Sequence, residues 1–221
     1  MNYVNSLPQT CFIFGAGEPP GRAPEIGPSD LAIAADGGYY YTLRSGIAAD
    51  ALIGDFDSLA YEKALKASRL DVLRLPAEKD QTDTMAALVY GLDRGYRCFR
   101  IYGGAGGRLD HTLANIQCLV YLLNNGSRGY LHNGDVVATA VRGGIKLAPR
   151  QEGIISVFAI GGDAEGVSLR GLRYELENEP LLSSYPLGVS NEFIGAPVTI
   201  AAESGDLLIC YPCGTVETGY P

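Results

Sequence analysis

The sequence predicts an α/β N-terminal domain with a mostly parallel sheet, followed by an all-β sandwich as C-terminal domain. Three observations carry this. Over the first ~125 residues, short apolar runs that end in Gly or Pro alternate with helical periods. Beyond Gly129 the apolar runs are β-prone and closely spaced, and no long helical period follows. At 47% hydrophobic and 19% charged, 221 residues suffice for a buried core.

The strands come first. Cys11–Phe14 runs into Gly15-Ala16-Gly17, Leu31–Ala34 into Asp36-Gly37-Gly38, and Ala51–Ile53 into Gly54-Asp55. Asp71–Leu75 stops at Pro76, and Cys98–Tyr102 runs into Gly103-Gly104. Runs of this length with such punctuation read as buried strands. The Gly- and Pro-rich stretch from Gly15 to Ser29 suggests no element of its own.

Two helices fit between and after these strands. Met85, Leu88, Val89 and Leu92 fall at i, i+3, i+4 and i+7, with Thr82 placed to cap the start and Gly95 to stop the end. Leu109, Leu113, Ile116, Val120 and Leu123 make a second apolar face, closed by Asn124-Asn125-Gly126. The later β-prone runs are Gly134–Val141, Gly153–Ile160, Leu172–Leu176, Val198–Ala202 and Asp206–Tyr211. The change of character lies between Asn124 and Gly134, which divides the chain into residues 1–128 and 129–221.

Charge and cysteine usage narrow the function classes. A net charge of −8 without a Lys/Arg stripe argues against nucleic acid as partner. No apolar stretch approaches the ~20 residues of a membrane span. The polar start, Met1–Thr10, has no basic cluster ahead of an apolar run, so a cytoplasmic location is expected. Five scattered cysteines imply no disulfide framework, and Cys210-Tyr-Pro-Cys213 lacks a second pair to make a metal site.

Acidic residues gather where strands end. Asp36 follows one, Asp55 and Asp57 the next, Asp80 and Asp83 the fourth, and Asp110 the fifth. In parallel sheets the ligand sits outside the carboxyl ends of the strands, so one edge would collect them all. In Gly54-Asp-Phe-Asp-Ser58, alternation puts Asp55 and Asp57 on one side, a pair of hard oxygen ligands suited to Mg²⁺. A bare D-x-D is more often a solvated loop, so the pair alone does not establish a metal site. In Lys79-Asp-Gln-Thr-Asp83 both aspartates can face one cleft, although Asp and Thr are also ordinary helix caps.

Gly103-Gly-Ala-Gly-Gly-Arg-Leu-Asp-His111 places four glycines between a strand and a helix, which lets backbone amides approach a phosphate. Arg108 adds a fixed cation and Asp110 an acid, while His111 reads as a hydrogen-bonder at the helix start. There is no Gly-Lys-Ser/Thr ending, so this is not a Walker A loop. The combination points to a cleft that binds Mg²⁺ and phosphate groups.

AADGG (34–38), GDFDS (54–58), KDQTD (79–83) and GGAGGRLDH (103–111) together resemble the thiamine pyrophosphokinase family, and Gly188-Val-Ser-Asn191 is similar to its Ser-Asn segment. The resemblance covers most of the chain in order. It implies an α/β catalytic domain that binds ATP and Mg²⁺, a β-sandwich domain for thiamine binding and dimerisation, and a homodimer with active sites between subunits. It implies pyrophosphoryl transfer from ATP to the hydroxyl of thiamine, giving thiamine diphosphate and AMP. Asp55, Asp57 and Asp83 correspond to metal ligands, and Asp36, Gly37, Lys79, Thr82, Gly103, Gly104, Gly106, Gly107 and Arg108 to the nucleotide site. Asp80 and Asp110 correspond to the cleft, either being a candidate acceptor for the hydroxyl proton, and Ser190 and Asn191 to the aminopyrimidine site. The chain has no tryptophan to lie against thiamine's rings, which leaves Phe193 or a tyrosine for that place. A pyrophosphokinase acting on another small alcohol, such as a hydroxymethylpterin, and a non-catalytic thiamine or nucleotide sensor are the alternatives.

Overall fold

The structure is a computed structural model that describes residues 9–17, 23–55, 70–76 and 80–221. Its described residues form two compact units, one running to Cys118 and resuming over Asn125–Asn133, the other comprising Leu119–Asn124 and Gly134–Pro221.

In the first unit the predicted alternation becomes a parallel sheet. β1 (Thr10–Phe14), β2 (Leu31–Ala35), β3 (Ala51–Gly54), β4 (Asp71–Arg74), β5 (Cys98–Tyr102) and β6 (Arg128–Asn133) lie in the order β6-β5-β1-β2-β3-β4. Every pairing is parallel. β1, β2 and β3 are buried along their whole length, as continuous apolar runs in a two-sided sheet should be. β4 departs from the expectation of burial. It is an edge strand in the sheet order, with Val72 and Leu73 both exposed. β6 carries no apolar run that marks it in the sequence; it is recruited by register, with Phe99 opposite Gly129 and Ile101 opposite Leu131.

The helices among the described residues are α1 (Gly38–Arg44), α2 (Asp83–Asp93) and α3 (Leu109–Asn124). Thr82 caps α2 as expected, its Oγ1 accepting from the Met85 amide at 3.2 Å. Gly95 and Gly126 both have positive φ just beyond the ends of α2 and α3. α1 has no clear apolar period. It exists because Gly38 lets the chain turn against β1: a Cβ there would lie 1.7 Å from the Phe14 carbonyl oxygen. Between α1 and the sheet, Phe14 packs on Tyr41 (centroids 5.3 Å apart) and on Tyr102 (5.7 Å).

The second unit is β-rich and antiparallel. It contains β7 (Val136–Leu147), β8 (Ile154–Arg170), β9 (Leu176–Leu181), β10 (Asn191–Glu192), β11 (Val198–Pro212) and β12 (Glu217–Gly219). They pair as β10-β8-β11-β7, with β9 on β8 and β12 on β7. Six strands stand against five apolar runs, and the three main ones, β7, β8 and β11, are longer than the runs suggest. Val198–Ala202 and Asp206–Tyr211 are one strand, β11, whose register against β7 shifts between Ala201 and Asp206. This bulge accommodates the polar interruption Glu203-Ser204-Gly205 without ending the ladder. Likewise β8 continues through Gly161-Gly162. Leu172 makes only an isolated bridge to Phe193, and β9 begins at Leu176.

Candidate active site

The strand order defines where a ligand belongs. From β1 the chain proceeds to β2 on one side, while β5 occupies the other. Loops leaving two such strands diverge to opposite faces and open a crevice at their carboxyl ends. Here the crevice is a cavity of about 450 Å³. Its floor comes from the segments after β1 (Gly15 to Gly17) and β5 (Gly103 to Arg108), and its sides from Asp36 and the start of α2.

Glycine is required in this floor because two backbones touch. The Gly15 amide donates to the Tyr102 carbonyl at 2.7 Å and the Gly17 amide to the Gly103 carbonyl at 2.8 Å. A Cβ on Gly15, Gly17 or Gly103 would lie 2.7, 2.6 or 2.5 Å from a carbonyl oxygen of the facing loop. Asn115, on α3 and almost fully buried, donates from Nδ2 to the Gly104 carbonyl at 2.6 Å and pins the second loop from below.

Of the residues marked in the sequence, the cavity brings together Asp36, Thr82, Asp83, Gly103, Gly104, Gly106, Gly107 and Arg108. Asp36 adopts φ +44°, a left-handed turn between β2 and α1 that aspartate tolerates better than most residues. Asp83 occupies the first turn of α2. Gly37, Asp55, Asp80 and Asp110 are not among the described residues that line the cavity. Asp57 and Lys79 lie outside the described residues. Gly15, Ala16, Gly17, Thr84, His111 and Asn115 also line it. The first three follow an apolar strand as Gly-Ala-Gly, the same signal that marks Gly103–Gly107; Thr84 and Asn115 have no comparable mark.

Arg108, which lines the cavity, forms a two-point ion pair with Asp110. Arg108 Nε donates to Asp110 Oδ1 at 3.1 Å and Nη2 to Oδ2 at 2.6 Å. The same carboxylate accepts from the His111 amide at 3.0 Å. The Arg108 hydrogen bond, helped by the His111 amide, holds the Asp110 carboxyl down to about 2, and Asp110 in turn raises the Arg108 guanidinium.

The donor set suits a hard cation. Asp36 and Asp83 bring carboxylate oxygens to a cavity otherwise lined by backbone, hydroxyls, the Arg108 guanidinium, the His111 imidazole and the Asn115 carboxamide, with no thiolate among the described lining residues. Among the described residues, no three His, Cys, Asp or Glu side chains converge on one point, so any metal would depend on substrate oxygens or water for its remaining ligands.

In the second unit, Ser190 is exposed with φ +59°, and its amide donates to Ser156 Oγ at 3.1 Å. Asn191 is buried. Its Oδ1 accepts from the amides of Tyr174 (3.0 Å) and Glu192 (2.8 Å), and its Nδ2 donates to the Tyr174 carbonyl (2.6 Å). Phe193 is 3% exposed and packs in the core, so it offers no ring face to a ligand; Tyr174, whose backbone Asn191 holds, is 61% exposed.

Comparison with known proteins finds relatives along most of the chain. The model of the thiamin pyrophosphokinase catalytic domain matches residues 25–131, and that of the thiamin pyrophosphokinase vitamin B1 binding domain matches residues 144–207. Thiamine pyrophosphokinase of Bacillus subtilis (strain 168) is 30% identical over 211 residues, covering 88% of this chain and 94% of its own. A crystal structure of thiamine pyrophosphokinase from Bacillus subtilis superposes with a TM-score of 0.81 at 28% identity, covering 93% of this chain and 100% of that one. Yeast thiamin pyrophosphokinase, at 18% identity, shares the fold with a TM-score of 0.73 over 95% of this chain and 87% of its own. With both domain models matched in order and a relative aligned over nearly its full length, the chain belongs to the thiamine pyrophosphokinase family.

Proposed function

We propose that this protein transfers the pyrophosphoryl group of ATP to the hydroxyl of thiamine, yielding thiamine diphosphate and AMP. The observation that carries the reading is the cavity between the ends of β1 and β5, where two touching glycine loops, Arg108 and the carboxylates Asp36 and Asp83 meet.

The loops leave room for phosphate oxygens beside the backbone, and the start of α2 contributes the positive end of its dipole. Arg108 binds phosphate oxygens and stabilises their charge as the β-phosphorus is attacked. Asp55, Asp57 and Asp83 would hold Mg²⁺, which would supply neutralisation of phosphate charge when bound. Asp80 and Asp110 are the two carboxylates considered for the hydroxyl proton, and Asp110 is already engaged by Arg108 at two points. Much of the acceleration comes from holding alcohol and phosphorus in line, worth up to ~7–11 kcal/mol in well-oriented systems.

Residues 1–128 would then hold ATP and residues 129–221 thiamine, with Ser190 and Asn191 at the aminopyrimidine and Tyr174 standing for the missing tryptophan. The exposed apolar side chains of Ile154, Leu187, Val189 and Ile194 support a homodimer contact through the β-rich unit. No described helix is long and apolar enough to cross a membrane. We place the enzyme in the cytoplasm.

Incubation with thiamine, ATP and Mg²⁺ should give thiamine diphosphate and AMP in equal amounts, without ADP. Appearance of ADP, or AMP without thiamine diphosphate, would remove the proposed reaction. Asp57→Asn should retain the fold and lose most of this activity. Wild-type turnover of that variant at ordinary Mg²⁺ would remove Asp57 from the metal site.

A further inference from the structure

We propose that Asp110 is a positioning residue that clamps one edge of the Arg108 guanidinium so that the opposite edge is presented to the phosphates of the nucleotide. This rests on the reading of the cavity as an ATP site.

The geometry is specific. A guanidinium carries five N–H donors in a planar fork. Asp110 engages the side edge, Nε at 3.1 Å and Nη2 at 2.6 Å, and leaves the two Nη1 donors and the second Nη2 donor available. Arg108 lines the cavity, whereas Asp110 is not among the described residues that do. Asp110 is itself anchored, because its Oδ1 also accepts from the His111 amide at 3.0 Å in the first turn of α3. The Arg108 side chain is 70% exposed, so little packing restricts its rotamers and the carboxylate does that work.

The sign of the effect separates this role from simple charge. Removing a carboxylate near a polyanion should tighten its binding by relieving repulsion. Removing a clamp should weaken it, because the freed arginine must be ordered on binding.

The test is calorimetric titration of ATP with Mg²⁺, without thiamine, into wild type, Asp110→Asn, Arg108→Ala and the double variant. Asp110→Asn is expected to raise the Kd about three- to tenfold, the range set by a partly exposed ion pair and the ordering of one arginine. In the Arg108→Ala background the same change should have no further effect, as a double-mutant cycle requires of a residue acting through its partner. Asp110→Glu, which retains the carboxylate, should recover part of the loss. Tighter or unchanged binding by Asp110→Asn, or a loss that persists without Arg108, overturns the proposal. Both side chains are exposed, so the melting temperature without ATP should match wild type; a fall that accounts for the weaker binding makes the role structural and overturns it too. Failure of the wild-type protein to bind ATP would instead overturn the underlying reading of the cavity.

Discussion

Replacing Gly103 by alanine loads two penalties on one position. Its φ of +63° is left-handed, where an L-residue is disfavoured by roughly 1–2 kcal/mol. The new Cβ would also lie 2.5 Å from the Gly15 carbonyl oxygen, about 0.9 Å inside the 3.4 Å at which ordinary contact begins. That neighbour is backbone held by the Gly15–Tyr102 and Gly17–Gly103 hydrogen bonds, so it cannot rotate away. Gly46 is the control: its φ is +67° and nothing lies within 4 Å of its added Cβ. Gly46→Ala should therefore lose only the conformational term, about 1 kcal/mol, and Gly103→Ala about 3 kcal/mol once the overlap is included. Both loops line the cavity, so separating them by nearly 1 Å should cost about 100-fold in kcat/KM, the usual scale for misplacement of that size. Urea unfolding and steady-state AMP release on the two variants read both quantities. Equal stability losses, or a Gly103→Ala enzyme within about threefold of Gly46→Ala in kcat/KM, would refute the argument that these loops touch for a catalytic reason.

His132 and Asn191 give two further tests. The His132 ring stacks on Tyr102 with centroids 4.3 Å apart and lies 3.3 Å from Arg100 Nη1; burial first, and Arg100 second, push its pKa from 6.5 down to about 4. The unfolded chain therefore takes this proton first, so the stability from neutral His132 is complete above pH 6.5 and is lost as pH falls towards 4. The loss should be on the order of 2–3 kcal/mol in urea unfolding between about pH 7 and about pH 4.5, and His132→Gln should flatten it. Equal wild-type stability at the two pH values would sink this account. Asn191→Leu removes the partners of both the amide and the carbonyl of Tyr174, and should destabilise by about 2–3 kcal/mol; a loss below about 0.5 kcal/mol would mean that water replaces the side chain there.

The parts of the fold legible in the sequence are those whose signal is local. β1, β2, β3 and β5 are apolar runs cut by glycine, and α2 is marked by both its period and its Thr82 cap. α1 and β6 were not legible because their causes are distant: α1 depends on Gly38 fitting against Phe14, and β6 on the register offered by β5. In the second unit the apolar runs suggest strands that are too short because glycine usually ends a ladder, whereas β8 and β11 absorb Gly161-Gly162 and Gly205 within long strands.

The same division runs through the site. Asp36, Asp83, the Gly103–Gly107 loop and Arg108 stand in short clusters at strand ends, and a single segment suffices to mark each. The residues that shape the cavity act between segments. Gly15 and Gly17 matter through the backbone of Gly103, and Asn115 matters because it reaches back eleven residues to the Gly104 carbonyl. Asp110 shows the consequence for function. Read alone after a strand, it is one more acid and a candidate base; read with the guanidinium it grips, it is a carboxylate that holds a cation in place. A carboxylate's role in this site therefore follows from its partner, which position in the chain does not reveal.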